Sequence, residues 1–276
     1  MLLKKKEYLC GIETGMVPYP TPLPSIWPHD WLYPDGLRHC QGCSSSIWKN
    51  SGRPSTGIWR SVKKNRDNME KGMKKILFLH GFYASGQCVP ALALRESFEG
   101  RAEVLTPDLP MHPKKAIEYI RGLIDQEKPD LLVGNSCGSF YAQMVAPIVG
   151  IPALLGNPHF RMTEFLKPRI GEHQYKSPRK DGKQDFTIDE ALIEEFAEME
   201  AIQFNYCNPY FKDRVWGLFG EHDTLAHFEP QFLEHYNQSF HFPGGHTPTA
   251  EEVRTWYVPL AEKMLMEYPR SEDGVR

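Results

Sequence analysis

The sequence predicts an α/β fold: a mostly parallel six-stranded sheet with helices on both faces. Three observations lead there. After Met73, short apolar runs alternate with amphipathic stretches of helical period. Such runs, separated by helices, imply a parallel sheet covered on both sides. The residue types that carry chemistry follow the runs, so they would emerge together at one sheet edge, where open α/β sheets bind their ligands.

The first 72 residues stand apart. They hold seven prolines, four of the six tryptophans and no helix or strand period, and read as an irregular or disordered extension. Their net charge is +5 (11 basic, 6 acidic), against −8 (21 basic, 29 acidic) for the remainder, which marks a boundary near Asn68. Met69 or Met73 is the expected start of the working protein, a domain over 73–276; the competing reading is a basic, tryptophan-bearing interaction tail. Cys40 and Cys43 form a CxxC beside His39, but no second ligand pair follows at zinc-finger spacing, so no metal is expected.

From Met73 the elements follow in order. ILFLH (76–80) is a first buried strand, and roughly Cys88 to Phe98 a helix. AEVLTP (102–107) is the second strand, ending in the turn PDLPMHP. In KKAIEYIRGLIDQ, Ile117, Ile120 and Ile124 share one stripe with Leu123 beside them, a helix period. LLVGN (131–135) is the third strand; SFYAQMVA continues as a helix expected to stop before Pro147. PALLGN, VWGLFG and SFHF complete the six.

The last helix, from about Thr249, is expected to bury Val253, Trp256, Tyr257, Leu260 and Met264, with Thr247 or Thr249 as its cap and Pro248 in its first turn. The insertion 159–211, between the fourth and fifth strands, begins basic and loop-like. Thr187 and Glu190 then have the spacing of a capping box for a short acidic helix. This insertion is a candidate lid, in which Leu192, Phe196 and Met199 either line an acyl site or pack on the sheet.

Composition narrows the function. A net charge of −3 gives no reason to expect a nucleic-acid partner or an anionic membrane surface. No apolar run approaches the ~20 residues of a membrane span, and the N-terminal apolar stretch is too short for a secretory signal. Scattered cysteines read as reduced thiols. A cytoplasmic protein is expected; its oligomeric state is not encoded legibly.

The chemistry centres on VGNSCGSF (133–140). Gly134 and Gly138 flank Ser136 as a sharp strand-to-helix turn requires, exposing a nucleophilic hydroxyl above the sheet. The N–H of Cys137, at the positive start of the following helix, is one expected oxyanion donor. The other is the N–H of Phe82 in LFLHGFYASG, with Tyr83 as the alternative. His80 reads as a brace for that loop. The Cys137 thiol is a rival nucleophile. Serine needs a base within hydrogen-bond reach, and GGHTP supplies His246 on a glycine-flanked loop. Asp223 in GEHDT would orient His246, although it could instead cap a helix near 228–235, and Glu221 competes for the carboxylate role.

FLHGF, PDLP, GNSCG, the NP after the fourth strand, GEHD and GGH together resemble the α/β-hydrolase fold, most closely the compact YqiA-type esterases, over about Lys74 to Met266. The resemblance implies a serine esterase or thioesterase acting on acyl esters through an acyl-enzyme, without a cofactor. Ser136, Asp223 and His246 match the catalytic positions, and Phe82 and Cys137 the oxyanion donors. GNSCGS departs from relatives that carry Leu or Met after the serine and a further glycine. The rival classes are a non-catalytic binding protein on the same fold and an acyltransferase using the same triad.

Overall fold

The six expected strands form one sheet with every neighbouring pair parallel, in the order β2-β1-β3-β4-β7-β8. A computed structural model describes residues 72–269. The expected extension, the CxxC at Cys40 and Cys43, and Met69 lie outside them.

β1 (Lys74–Leu79) leads into α1 (Val89–Ser97), with Cys88 and Phe98 as its caps. β2 (Ala102–Leu105) precedes α2 (Pro113–Glu127), whose Ile117, Ile120 and Ile124 face the interior. β3 (Leu131–Asn135) is buried throughout and turns at Ser136 into α3 (Cys137–Val149). β4 (Ala153–Gly156) follows. Because the chain places β2 on one side of β1 and β3 on the other, the loops leaving β1 and β3 diverge and open a crevice at their C-terminal ends.

Pro147 does not end α3, contrary to the sequence expectation. It sits in the last turn, where the helix gives up the bond an N–H at this position would make to the Gln143 carbonyl, and the helix stops only at left-handed Gly150, whose N–H donates to the Ala146 carbonyl.

The insertion 159–211 is more ordered than its basic composition suggests. α4 (Met162–Leu166) is followed by a two-stranded antiparallel hairpin, β5 (Gly171–Gln174) with β6 (Asp185–Ile188), and then α5 (Glu190–Glu200). Thr187 lies in β6 and donates to Glu172; Asp189 caps α5 instead, accepting from the Leu192 N–H. An aspartate directly before the helix outcompetes a threonine two residues earlier that the strand already holds. Leu192, Phe196 and Met199 are all buried, and Phe196 packs against Phe82, Phe140 and Tyr141.

β7 (Val215–Gly220), α6 (Glu229–Leu233) and β8 (Gln238–Phe242) complete the sheet side. Thr249 caps α7 (Ala250–Glu252) with a capping box to Glu252, leaving Pro248 outside the helix. A π-helical stretch, Val253–Tyr257, then joins α8 (Val258–Glu267). The wider turn shifts the register of the buried stripe, so Val253, Tyr257 and Met264 enter the core while Trp256 reaches the surface. Among the described residues no helix is long and apolar enough to cross a membrane.

Candidate active site

Ser136 occupies the turn between β3 and α3 with φ 56° and ψ −120°, a conformation L-residues avoid. The surroundings impose it. A Cβ on Gly138 would lie 1.9 Å from the Leu79 carbonyl oxygen, and one on Gly134 would lie 2.5 Å from the Ser139 nitrogen. Both glycines are therefore demanded by close backbone approach, and Gly138 specifically lets α3 start against the end of β1. The turn is stitched to β4, with the Ser136 N–H donating to the Gly156 carbonyl at 2.9 Å and the Ser139 hydroxyl to the same oxygen.

The loops after β7 and β8 bring Asp223 and His246 to this point. His246 Nδ1 lies 2.8 Å from Asp223 Oδ2 and its Nε2 lies 2.8 Å from Ser136 Oγ. With the carboxylate ionised, Nδ1–H donates to it and Nε2 is left to accept from the serine hydroxyl. Burial pushes the Asp223 carboxyl up, but the bond from His246 and the amides of Leu225 and Ala226 outweigh it, and the pKa falls below the usual carboxylate value. The two readings of Asp223 are not exclusive. Oδ2 takes the imidazole, while Oδ1 accepts from Leu225 and Ala226 and shapes its own loop. Glu221 is exposed and takes no part.

His80 is a brace. Its Nδ1 pairs with the Gly81 carbonyl at 2.8 Å and its Nε2 accepts from the Leu109 N–H at 2.9 Å, tying the loop after β1 to the loop after β2. Burial lowers its pKa to about 4, which keeps this ring neutral. The Cys137 thiol is buried and pushed up to about 12, chiefly by that burial, so almost none of it is thiolate near neutral pH. Phe82 and Cys137 line one small cavity together, and the Cβ direction of Gly81 points at Ser136, 3.4 Å from its Cβ.

Two residues were not singled out in the sequence. Asn157, the Asn of the NP pair, has φ 41°; its Nδ2 donates to the carbonyls of Gly245 (2.8 Å) and His246 (3.0 Å), and its Oδ1 accepts from the Gly220 N–H at 2.7 Å. One side chain thus holds the loop after β8 to the end of β7. His159 lies 6.5 Å ring-to-ring from His246, with its Nδ1 buried and unpartnered and its pKa lowered to about 4, mainly by burial. The NP motif was the only signal for either.

Ser136 and His246 open into a cavity of about 650 Å³, a volume suited to a ligand of drug-like size. Phe82, Tyr83 and Pro90 form part of one wall; Met162, Phe165 and Arg169 come from the insertion. The hairpin is bound to the body: the Lys176 N–H donates to the Tyr83 carbonyl at 2.8 Å, and the Ser85 hydroxyl donates to the Pro178 carbonyl at 2.7 Å. Leu192, Phe196 and Met199 are not among the residues lining the cavity; they are buried, with Phe196 held among the rings of Phe82, Phe140 and Tyr141. Among the described residues no group of His, Cys, Asp and Glu side chains could hold a metal ion.

Residues 75–238 match the model of UPF0227, described as an uncharacterised protein family, and the chain belongs to it. Solved structures of similar shape include Est1E from Butyrivibrio proteoclasticus (TM-score 0.53, 16% identity, covering 70% of this chain and 89% of that one). The study of LipS and LipT, two metagenome-derived lipolytic enzymes, supplies another (TM-score 0.54, 14% identity, 70% and 93% covered). Alpha/beta hydrolase domain-containing protein 10 from mouse is a third (TM-score 0.51, 13% identity, 70% and 90% covered). At these identities the likeness establishes the α/β-hydrolase fold.

Proposed function

We propose that this UPF0227 member is a serine hydrolase that cleaves a carboxylic ester or thioester through an acyl-enzyme. The observation that carries the reading is the unbroken pair of 2.8 Å hydrogen bonds from Asp223 through His246 to Ser136, opening on a large, mostly apolar cavity. In the proposed cycle His246 Nε2 takes the Ser136 proton as Oγ bonds to the substrate carbonyl carbon. The carbonyl oxygen becomes an oxyanion, held by the N–H groups of Phe82 and Cys137. Collapse of the tetrahedral species breaks the bond to the alcohol or thiol, which leaves with the proton from His246. Water then repeats the sequence on the acyl-enzyme and frees the acid.

Within this reading 73–276 is the hydrolase domain and 159–211 the cap that sets acyl preference. The described cysteines, Cys88, Cys137 and Cys207, are free thiols, which supports a reducing compartment, and we place the enzyme in the cytoplasm. Labelling with a fluorophosphonate probe and mapping of the modified peptide tests the assignment. Label is expected on Ser136; label elsewhere, or none on folded protein, overturns it.

A further inference from the structure

We propose that the cavity accepts substrates that carry an anionic group, a carboxylate or a phosphate, at the end remote from the scissile carbonyl. The proposal rests on the serine-hydrolase reading of the same cavity and adds the charge of what enters it.

Two cations of the insertion line the cavity, and no Asp or Glu lines it with them. Arg169 is half-buried, its guanidinium carbon 4.1 Å above the Phe165 ring, with one Nη donating to the Phe165 carbonyl. The guanidinium has five N–H donors, so most of them remain for a ligand. Lys176 stands at the mouth, 5.6 Å from the centre of the Tyr83 ring, with its position fixed by the backbone bond to Tyr83. Among the described residues neither side chain has a carboxylate partner, whereas Arg161 and Arg179 of the same segment do. Asp108, across from the hairpin, has its oxygens on the amides of Gly86 and Lys180.

The spacing suits an apolar body with a charged end. From His246 the rings step to His159 (6.5 Å), from His159 to Phe165 (5.1 Å), and Phe165 carries Arg169 on its face. An aromatic wall therefore separates the nucleophile from the uncompensated positive charge. A cleft lined by one sign of charge concentrates ligands of the other, and a guanidinium with free donors matches a carboxylate or phosphate in geometry.

Two matched pairs test this and locate the anion. On the acyl side, 4-nitrophenyl hydrogen adipate is compared with 4-nitrophenyl methyl adipate. On the leaving side, the butyryl thioester of phosphopantetheine is compared with that of pantetheine. We expect kcat/KM to favour the anionic member of one pair by about tenfold, with the ratio shrinking at high salt. The double variant R169M/K176M should bring that ratio close to one, and Lys176→Glu, which keeps the Arg169 contacts, should lower it at least about threefold. A wild-type ratio of one or less in both pairs, or a ratio unmoved in both variants, overturns the proposal. Should none of the esters be cleaved, the hydrolase reading fails separately. Calorimetry of the S136A variant with monomethyl against dimethyl adipate and with phosphopantetheine against pantetheine then decides. Tighter binding of the anion in either pair upholds the charge preference; equal affinity in both sinks it.

Discussion

The rim that carries Ser136, Asp223 and His246 and the insertion that roofs it are built on different principles. At the rim, backbone meets backbone: Gly138 against Leu79, the Ser136 amide on Gly156, and Asn157 bonded to the chain at Gly220, Gly245 and His246. In the insertion, side chains meet side chains: Phe196 among aromatic rings, Phe165 under Arg169, a hairpin with alternating exposed positions. Backbone constraints tolerate almost no substitution, whereas side-chain packing accepts many solutions of similar volume. On the proposed reading, chemistry belongs to the first region and the choice of ligand to the second.

Five measurements would break or sharpen that contrast. Ser136→Ala should lower turnover by ~10⁴ or more while leaving the melting temperature nearly unchanged; retained turnover would detach the rim from the chemistry. In the roof, Phe196→Ala should cost about 3–5 kcal/mol in denaturant unfolding with little change in acyl-chain preference, since the ring supports the wall without lining the cavity. A reordered preference would undo the division of labour.

The third concerns pH. His80 is held near 4 when folded but titrates near 6.5 when unfolded, so on acidification the unfolded chain takes up the proton first. Stability should be full above pH 6.5 and fall as pH drops towards 4, by about 2–3 kcal/mol from this residue. His80→Asn should flatten that slope in urea unfolding measured across the window. An unchanged slope would mean the brace is not buried and neutral.

Asn157→Ala comes next. Loss of its bonds to both loops should cost about 1–3 kcal/mol and lower kcat more than it raises KM, because the His246 loop loses its anchor. Smallest of all, Glu221→Ala should change stability by less than about 0.5 kcal/mol and leave kcat within about twofold, as expected for an exposed residue without a partner in the relay. A loss comparable to that of Ser136→Ala would hand the carboxylate role to Glu221.

The sheet was legible because its strands are short, apolar and separated by helices of clear period, and α1 and α2 fall where the pattern puts them. The convergence of Ser136, Asp223 and His246 was legible for a related reason: each follows a strand, so sequence order alone sends all three to one edge. Asn157 was not, since a side chain that bonds three backbone groups far away in the chain has no local signature beyond the proline after it. The hairpin escaped because GEHQ and DFTI are polar and half-exposed, so the alternation that marks a strand is faint. Trp256 was misplaced because a π-helical stretch changes the period on which the stripe was counted. Pro147 misled because a proline disfavours helix without forbidding it: this helix carries the proline and runs on to left-handed Gly150.

The position of Asn157 in the chain has a practical side. Both loops that carry the imidazole and the carboxylate hang from a residue that comes just before the roof begins, and the chain rejoins the sheet only at Val215. The roof is therefore a module spliced in downstream of the keystone. Transplanting 159–211 from a relative should exchange the catalogue of accepted molecules as a cassette, with the machinery beneath left in register.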